Sequence, residues 1–380
     1  MKNALIVTSV ASMVDQFLLP SIYLLQNMGY VVHVACNFEN GNTCNEEKIK
    51  SLKDALAQKN IAFFQVDFAR DISNVKQNGK AYKQIQDLMK KKHYSLIHCH
   101  SPIGGFLTRL VAQKYRKQGT RVFYTAHGFH FYKGAPIKNW LLYYPVERLC
   151  SYMTDVLITI NQEDYALAQK RMKAKRIEYV PGVGIDLSRF ENICIDRNAK
   201  RKEIGIPGDS ILLFSVGELN ANKNHQIVVR AMAQINNQNI CYAIAGVGGK
   251  RKDLLELAAE HGLADRMYLL GFRKDIAELN QMADIFCFPS VREGLSVSLM
   301  EAMASGLPVV CSKIRGNVDL VDDFDGGMLF SHNSIEECKQ AIESMLQSDR
   351  TTIGMNNKKK AQQYSIDSIV SMMKTIYSRE

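Results

Sequence analysis

Ile285-Phe286-Cys287-Phe288-Pro289-Ser290-Val291-Arg292-Glu293-Gly294-Leu295-Ser296-Val297-Ser298-Leu299-Met300-Glu301-Ala302-Met303-Ala304-Ser305-Gly306-Leu307-Pro308-Val309-Val310-Cys311 reads as a strand, a turn, a helix and a second strand. Residues 285–288 are apolar throughout, the pattern of a strand buried on both faces. Glu293 and Gly294 form the turn that follows. Ser296 suits the N-cap of a helix over 297–305, because its hydroxyl can accept from an amide of the first turn. Residues 309–311 return to an apolar run. Such a unit belongs to a parallel sheet covered by helices.

Outward from this unit the alternation continues. Apolar runs at 211–216, 241–245, 267–270 and 327–330 alternate with helical stretches at 224–236, 251–261 and 276–282, and the tail 334–379 reads as helical throughout. Pro181-Gly182-Val183-Gly184-Ile185-Asp186 is rich in turn residues, and a charged stretch through Lys200-Arg201-Lys202 follows it, so a domain boundary is expected there. Before it, strands at 4–9, 31–36, 61–66, 96–99, 122–125, 156–160 and 177–180 alternate with helices at 17–28, 46–58, 81–92, 104–118, 139–150 and 162–169. The expectation is an α/β chain of two Rossmann-like doubly wound domains, residues 1–185 and 200–360, with a C-terminal helix over 364–380 packing back on the first. Ligands of such sheets bind beyond the carboxyl ends of the strands, which puts the cleft between the domains.

The chain has 380 residues, 46% of them hydrophobic, enough for two cores. No run reaches the roughly 18 uninterrupted apolar residues of a membrane span. Met1-Lys2-Asn3-Ala4-Leu5-Ile6-Val7 is too short in its apolar part for a secretory signal and reads as a first buried strand. Nine scattered cysteines without a Cys-x-x-Cys pair suit a reduced, cytoplasmic protein. The net charge of +10 is uneven: residues 1–180 hold 25 Lys and Arg against 13 Asp and Glu, and residues 181–380 hold 23 against 25. The basic half is read either as general solubility or as a surface facing anionic lipid or an anionic substrate. The same choice attends Tyr132-Lys133-Gly134-Ala135-Pro136-Ile137-Lys138-Asn139-Trp140-Leu141-Leu142-Tyr143-Tyr144, which suits a membrane interface or a helix packed in the core.

The residues after the strands carry the chemistry. The helix start behind Gly294 offers backbone amides and a positive dipole end to a diphosphate, and Glu293 and Glu301 offer carboxylates to sugar and ribose hydroxyls. The Glu-Gly-Leu opening, the eight-residue step from Glu293 to Glu301 and the Glu-Ala-Met-Ala-Ser-Gly-Leu-Pro-Val-Val close resemble the Glu-x7-Glu motif of family 4 retaining glycosyltransferases, which have the GT-B fold. By that resemblance Glu293 contacts the donor sugar and Glu301 the nucleotide ribose, with Gly294, Leu295 and Ser296 lining the donor site.

The likeness extends over nearly the whole chain. Gly217-Glu218-Leu219-Asn220-Ala221-Asn222-Lys223 is similar to the family's Gly-Arg-Leu…Lys loop; Gly217 and Lys223 match, while Glu218 stands where Arg is usual. A carboxylate cannot bind diphosphate, so the positive charge is expected from Lys223, the helix start and Arg292. Leu270-Gly271-Phe272-Arg273 resembles the loop that cups the base, with Arg273 the expected contact. Thr125-Ala126-His127 is similar to the family's Thr-x-His, which makes His127, with Glu293, an expected catalytic residue. His98-Cys99-His100 and Asp323-Phe324-Asp325 are read as cleft lining and a turn rather than metal ligands.

The resemblance implies transfer of a hexose or N-acetylhexosamine, with retention, from a nucleotide diphosphate sugar, UDP ahead of GDP. The expected acceptor is a glycan or lipid-linked sugar, in capsule or exopolysaccharide synthesis at the inner face of the plasma membrane. No metal, cofactor or nucleic acid is expected. The rivals are a UDP-sugar 2-epimerase of the same fold and a non-enzymatic basic binding module; the two carboxylates speak against the first, and no aromatic-plus-basic motif supports the second.

Overall fold

The computed structural model describes residues 2–191 and 193–379. Seven parallel strands, Lys2–Val10 (β1), Tyr30–Asn37 (β2), Ala62–Gln65 (β3), Leu96–His100 (β4), Arg121–Ala126 (β5), Val156–Thr159 (β6) and Arg176–Tyr179 (β7), form one sheet in the order β3-β2-β1-β4-β5-β6-β7. Six more, Ile211–Val216 (β8), Ile240–Ala245 (β9), Met267–Gly271 (β10), Ile285–Phe288 (β11), Val309–Ser312 (β12) and Gly327–Phe330 (β13), form a second in the order β10-β9-β8-β11-β12-β13. Each sheet reverses its direction of growth once, between β1 and β4 in the first and between β8 and β11 in the second.

Alternate strand residues feed opposite faces of each sheet. Ala4 and Ile6 of β1 join one cluster, with Leu25, Val34 and Phe123, while Leu5 and Val7 join another, with Ile97, Val111 and Tyr124. In the second sheet Ile285 and Cys287 of β11 face one cluster, and Phe286 and Phe288 the other. Burial on both faces explains why these strands are apolar without alternation.

The chain divides into Met1–Val183 with Ile369–Glu380, and Gly184–Ser368. The C-terminal helix Ile366–Ser378 places Ile369, Met373, Ile376 and Tyr377 in the first unit's core, each such burial stabilising by about 1.5–3 kcal/mol. Among the described residues no helix is long and apolar enough to cross a membrane.

Several elements differ from the pattern read in the sequence. The charged stretch after Asp186 is part of the second unit: Leu187–Phe190 forms a short 3-10 turn, and Arg197–Glu203 a helix capped by Asp196. Within it Arg201 is buried, paired with Asp284 at 2.7 Å and donating to the carbonyls of Met282 and Ser210. The helix expected from 81 begins at Val75, because Asn74 caps it by accepting from the Gln77 amide. The tail is broken at Ser348-Asp349, where Asp349 turns its side chain onto the amides of Thr351 and Thr352, and again at Ser365. The helix after β1 starts at Ala11 rather than 17 and carries a π-helical turn over Val14–Leu18.

Candidate active site

In the second unit the point where the sheet reverses lies between β8 and β11, and the loops leaving these two strands carry Lys223 and Glu293. The Lys223 ammonium donates to the Glu293 carboxylate at 2.7 Å, both side chains half-buried, and lies 4.6 Å from the centre of the Phe288 ring. The two loops are stitched by backbone: the Val291 amide donates to the Asn222 carbonyl at 2.8 Å, and the Asn222 side-chain amide donates to the Arg292 carbonyl at 3.0 Å. Gly217 leaves β8 beside the lysine stem, and the Asn220 side chain accepts from the Lys223 amide at 2.9 Å.

Behind Gly294 and Leu295 the helix Val297–Ala304 begins, with Ser296 buried at its N-cap and accepting from the Leu299 amide at 3.4 Å. The loop is held by the segment after β12: Arg315 Nε donates to the Glu293 carbonyl at 3.2 Å. Gly316 has φ +82°, and a Cβ there would sit 2.3 Å from the Gly294 carbonyl oxygen. Only glycine permits that approach. Glu301, within the helix, is mostly buried, which raises its carboxyl from the usual value; Arg189, 3.5 Å away and half exposed, pulls the other way.

Other expected residues lie elsewhere in the unit. The Arg292 side chain is exposed, and only its backbone carbonyl is tied into the loop pair. Arg273 is not gathered with Lys223 and Glu293. Its guanidinium grips Asp275 at 2.8 and 2.5 Å and reaches Glu203 at 3.4 Å, in an ion network that also contains Lys200. That network ties the side chain to the helix Arg197–Glu203 through Glu203 and Lys200. Glu218 is exposed. Asp323-Phe324-Asp325 forms a turn with φ +67° at Phe324.

In the first unit the reversal point lies between β1 and β4. Ser9, near the end of β1, and Ser101, just after β4, join hydroxyls at 2.7 Å, and the Gly104 amide donates to the Ser9 hydroxyl at 3.2 Å. Ser101 holds φ +64°, a strained conformation for a residue with a side chain. One strand over, His127 follows β5, its Nε2 3.2 Å from Nδ1 of His100 on β4. His98, on the same face of β4, is fixed by the Tyr377 hydroxyl at 2.6 Å and the Thr125 hydroxyl at 2.8 Å. Burial lowers His127 to about 4 and His98 to about 3, so both rings are neutral at pH 7 and serve as hydrogen-bonding groups rather than cations. Among the described residues no three His, Cys, Asp or Glu side chains group as metal ligands would.

Arg189, Arg315 and the Ser9–Ser101 pair were not singled out from sequence. Arg315 lies three residues past the end of β12, so inspection of the segment after every strand would have found it. Arg189 sits in the stretch read as a linker, and Tyr377 reaches His98 from 279 positions away, beyond any local pattern.

Residues 196–364 match the family model of glycosyl transferases group 1, and residues 8–161 that of glycosyl transferase 4-like proteins. The chain is 34% identical to EpsD of Bacillus subtilis (strain 168), a protein named as a glycosyltransferase, over 95% of this chain and 92% of EpsD. It is 30% identical to the UDP-Gal:alpha-D-GlcNAc-diphosphoundecaprenol alpha-1,3-galactosyltransferase of Escherichia coli, over 87% of this chain and 83% of that protein. Among solved structures, Anabaena Alr3699/HepE in complex with UDP and glucose superposes with a TM-score of 0.78 at 19% identity, each chain covered completely. Sucrose-phosphate synthase from Thermosynechococcus elongatus matches equally well, with a TM-score of 0.78 at 19% identity over 99% of this chain and 98% of that one. These structural likenesses identify the fold as GT-B.

Proposed function

We propose that this chain, which belongs to the group 1 glycosyltransferases, moves a sugar from a UDP-sugar onto a lipid-linked glycan during assembly of a cell-surface polysaccharide. The observation that carries the reading is the Lys223–Glu293 contact of 2.7 Å at the reversal point of the second sheet, beside the start of the helix Val297–Ala304. A cation, a carboxylate and a helix amino end in one place are what a sugar diphosphate needs. UDP is favoured because the Anabaena neighbour was solved with it and the E. coli relative is named for a UDP-sugar. The lipid-linked acceptor follows the latter's name, and EpsD supports the exopolysaccharide setting.

In this reading Lys223, Arg292 and the amides behind Gly294 meet the diphosphate charge, without a metal. Glu293 holds the sugar hydroxyls and Glu301 the ribose, while neutral His127 hydrogen-bonds the sugar near its reacting carbon. The bond from the anomeric carbon to the UDP oxygen breaks as the acceptor oxygen bonds to that carbon on the same face, and the acceptor proton passes to the departing phosphate oxygen. Retention then needs no protein nucleophile, and fixed positive groups stabilise the leaving charge. The work is done at the inner face of the membrane, with the basic half of the chain toward anionic lipid.

A thermal-shift series over UDP, GDP, ADP and their sugars tests the reading, since a ligand of the native state raises the unfolding midpoint. UDP and UDP-sugars are expected to raise it, and Glu301→Ala to abolish the rise. Equal responses to all nucleotides would overturn the donor assignment.

A further inference from the structure

His98 and His100 alternate along β4 and so share one face of the first sheet. Register pairs His100 with Thr125 of β5, and His127 follows two residues on. Its Nε2 comes to 3.2 Å from Nδ1 of His100, and among the described residues that is the one hydrogen bond of the half-buried His127 ring. On the far side the His98 ring lies 4.1 Å from the His100 ring, centre to centre. His98 is itself pinned by the Tyr377 and Thr125 hydroxyls, so His100 is clasped between a fixed ring and His127.

The contact between His100 and His127 can hold its proton in two ways. Burial keeps all three rings uncharged at pH 7, so each has one N–H and one lone pair. Either Nδ1 of His100 donates to Nε2 of His127, or Nε2 of His127 donates to Nδ1 of His100. The two differ at Nε2 of His100, which is buried and has no hydrogen-bond partner among the described residues. The first arrangement leaves a lone pair there, and the second leaves an N–H. Orphaned buried N–H groups are the rarer of the two. The surroundings favour the same choice. The cavity of about 30 Å³ that the three rings border is closed otherwise mainly by apolar side chains, among them Ile158, Val180, Ile369 and Met373. Such a lining gives an N–H little to donate to.

We infer that His100 is a positioning residue: its Nδ1–H donates to Nε2 of His127, which leaves the His127 proton on Nδ1 as the donor this ring offers to a sugar hydroxyl. The hydrogen bond a histidine makes at one nitrogen decides what the other nitrogen presents. Nε2 of His127 is then occupied, so the ring cannot take up the acceptor proton. That agrees with passage of the proton to the departing phosphate oxygen. The use of the Nδ1–H rests on the proposed transfer; the placement of the proton rests on the rings alone.

The test is a long-range proton–nitrogen correlation spectrum of the full chain labelled with nitrogen-15 histidine. The His127 signals are identified among those of the nine histidines by their loss in His127→Phe. The wild type is expected to show His127 with a protonated Nδ1 and a bare Nε2, with or without UDP. His100→Asn, whose side-chain amide can stand where Nδ1 stood, should keep that pattern. His100→Gln, whose amide lies further out, and His100→Leu should move the proton partly or wholly to Nε2. With UDP-galactose as donor, His100→Gln should lower kcat for UDP release about 2–10-fold, the contribution of one hydrogen bond, with KM unchanged. His100→Asn should stay near the wild type, and the rise in midpoint with UDP should remain in both. A wild-type His127 protonated at Nε2 would overturn the inference, whatever the variants do. So would a wild-type pattern surviving in both His100→Gln and His100→Leu, because another group would then place the proton. A displaced proton with wild-type kcat would overturn the use of the Nδ1–H in the reaction. The expected pattern in a chain that responds to neither UDP nor UDP-galactose supports the positioning and removes the transferase reading alone.

Discussion

The two sheets reverse by the same rule and build opposite chemistry there. Between β8 and β11 the loops bring a cation onto a carboxylate, Lys223 on Glu293, beside a helix amino end. Between β1 and β4 two hydroxyls meet, Ser9 at the end of β1 and Ser101 just after β4, with neutral His100 ending β4 and neutral His127 one strand over. A doubly wound sheet fixes where a site forms, and the loop residues fix what it holds. The charged site suits a diphosphate. The neutral one suits hydroxyl groups, which a buried histidine can hydrogen-bond without adding charge to a developing cationic sugar.

The widest gap between the two sites should appear in kinetics. Lys223→Ala is expected to lower kcat/KM by about 10²–10³, the usual cost of losing a group that stabilises a leaving charge, and to abolish the rise in midpoint with UDP. His127→Ala should lower kcat and leave the rise with UDP in place. Loss of the UDP response in His127→Ala would break the comparison, because the nucleotide would then depend on the neutral site.

A pair of glycines sharpens it next. Gly316→Ala must move the Gly294 carbonyl, 2.3 Å from the added Cβ, and must hold φ +82° with a side chain. Gly105→Ala in the first unit drives a Cβ to 2.4 Å from the Tyr124 ring, which Arg109 pins at 3.8 Å. Each should cost about 2–4 kcal/mol in urea titration. Only Gly316→Ala should also weaken UDP binding, since it alone displaces the loop of Glu293. Equal loss of UDP binding in both variants would mean that the donor site depends on the whole chain rather than on its own loop.

The sequence disclosed these two sites unequally, for a physical reason. Glu293, Gly294, Ser296 and Glu301 fall within nine residues, because one loop and one helix turn carry them, so a contiguous pattern exposes them. The strands on both sides are apolar without interruption and are read correctly for the same local reason. Arg189 and Arg315 converge on Glu301 and Glu293 from other elements, and no spacing relates them. For Arg273 a loop resemblance locates only the Cα, and the pairing of its guanidinium with Asp275, two residues on, is not legible in it. The first-unit site rests on β1, β4, β5 and the C-terminal helix together. Its histidines can be placed on one face of a strand from sequence, but Tyr377 cannot be placed against them.

The smallest expected effect is on stability against pH, and its sign follows from the buried rings. Burial lowers His98 to about 3 and His127 to about 4 in the first unit, and His225 to about 4 in the second. An unfolded chain binds those protons near pH 6.5, and the folded chain does not. Falling pH therefore favours unfolding from about 6.5 downward, and the loss stops growing for each ring once pH passes its folded value. Between pH 6.5 and 5.5 each ring should cost about 1 kcal/mol. Replacing His98 by Phe removes its share of this slope, whatever it does to stability at pH 8. His98→Phe and His225→Phe should each flatten the profile by about 1 kcal/mol over that interval, and His98→Phe combined with His127→Phe by about 2 kcal/mol. Urea midpoints at pH 8, 6.5 and 5.5 measure this directly, and a midpoint that rises on acidification would show that the rings are charged in the fold and that the neutral site is not neutral.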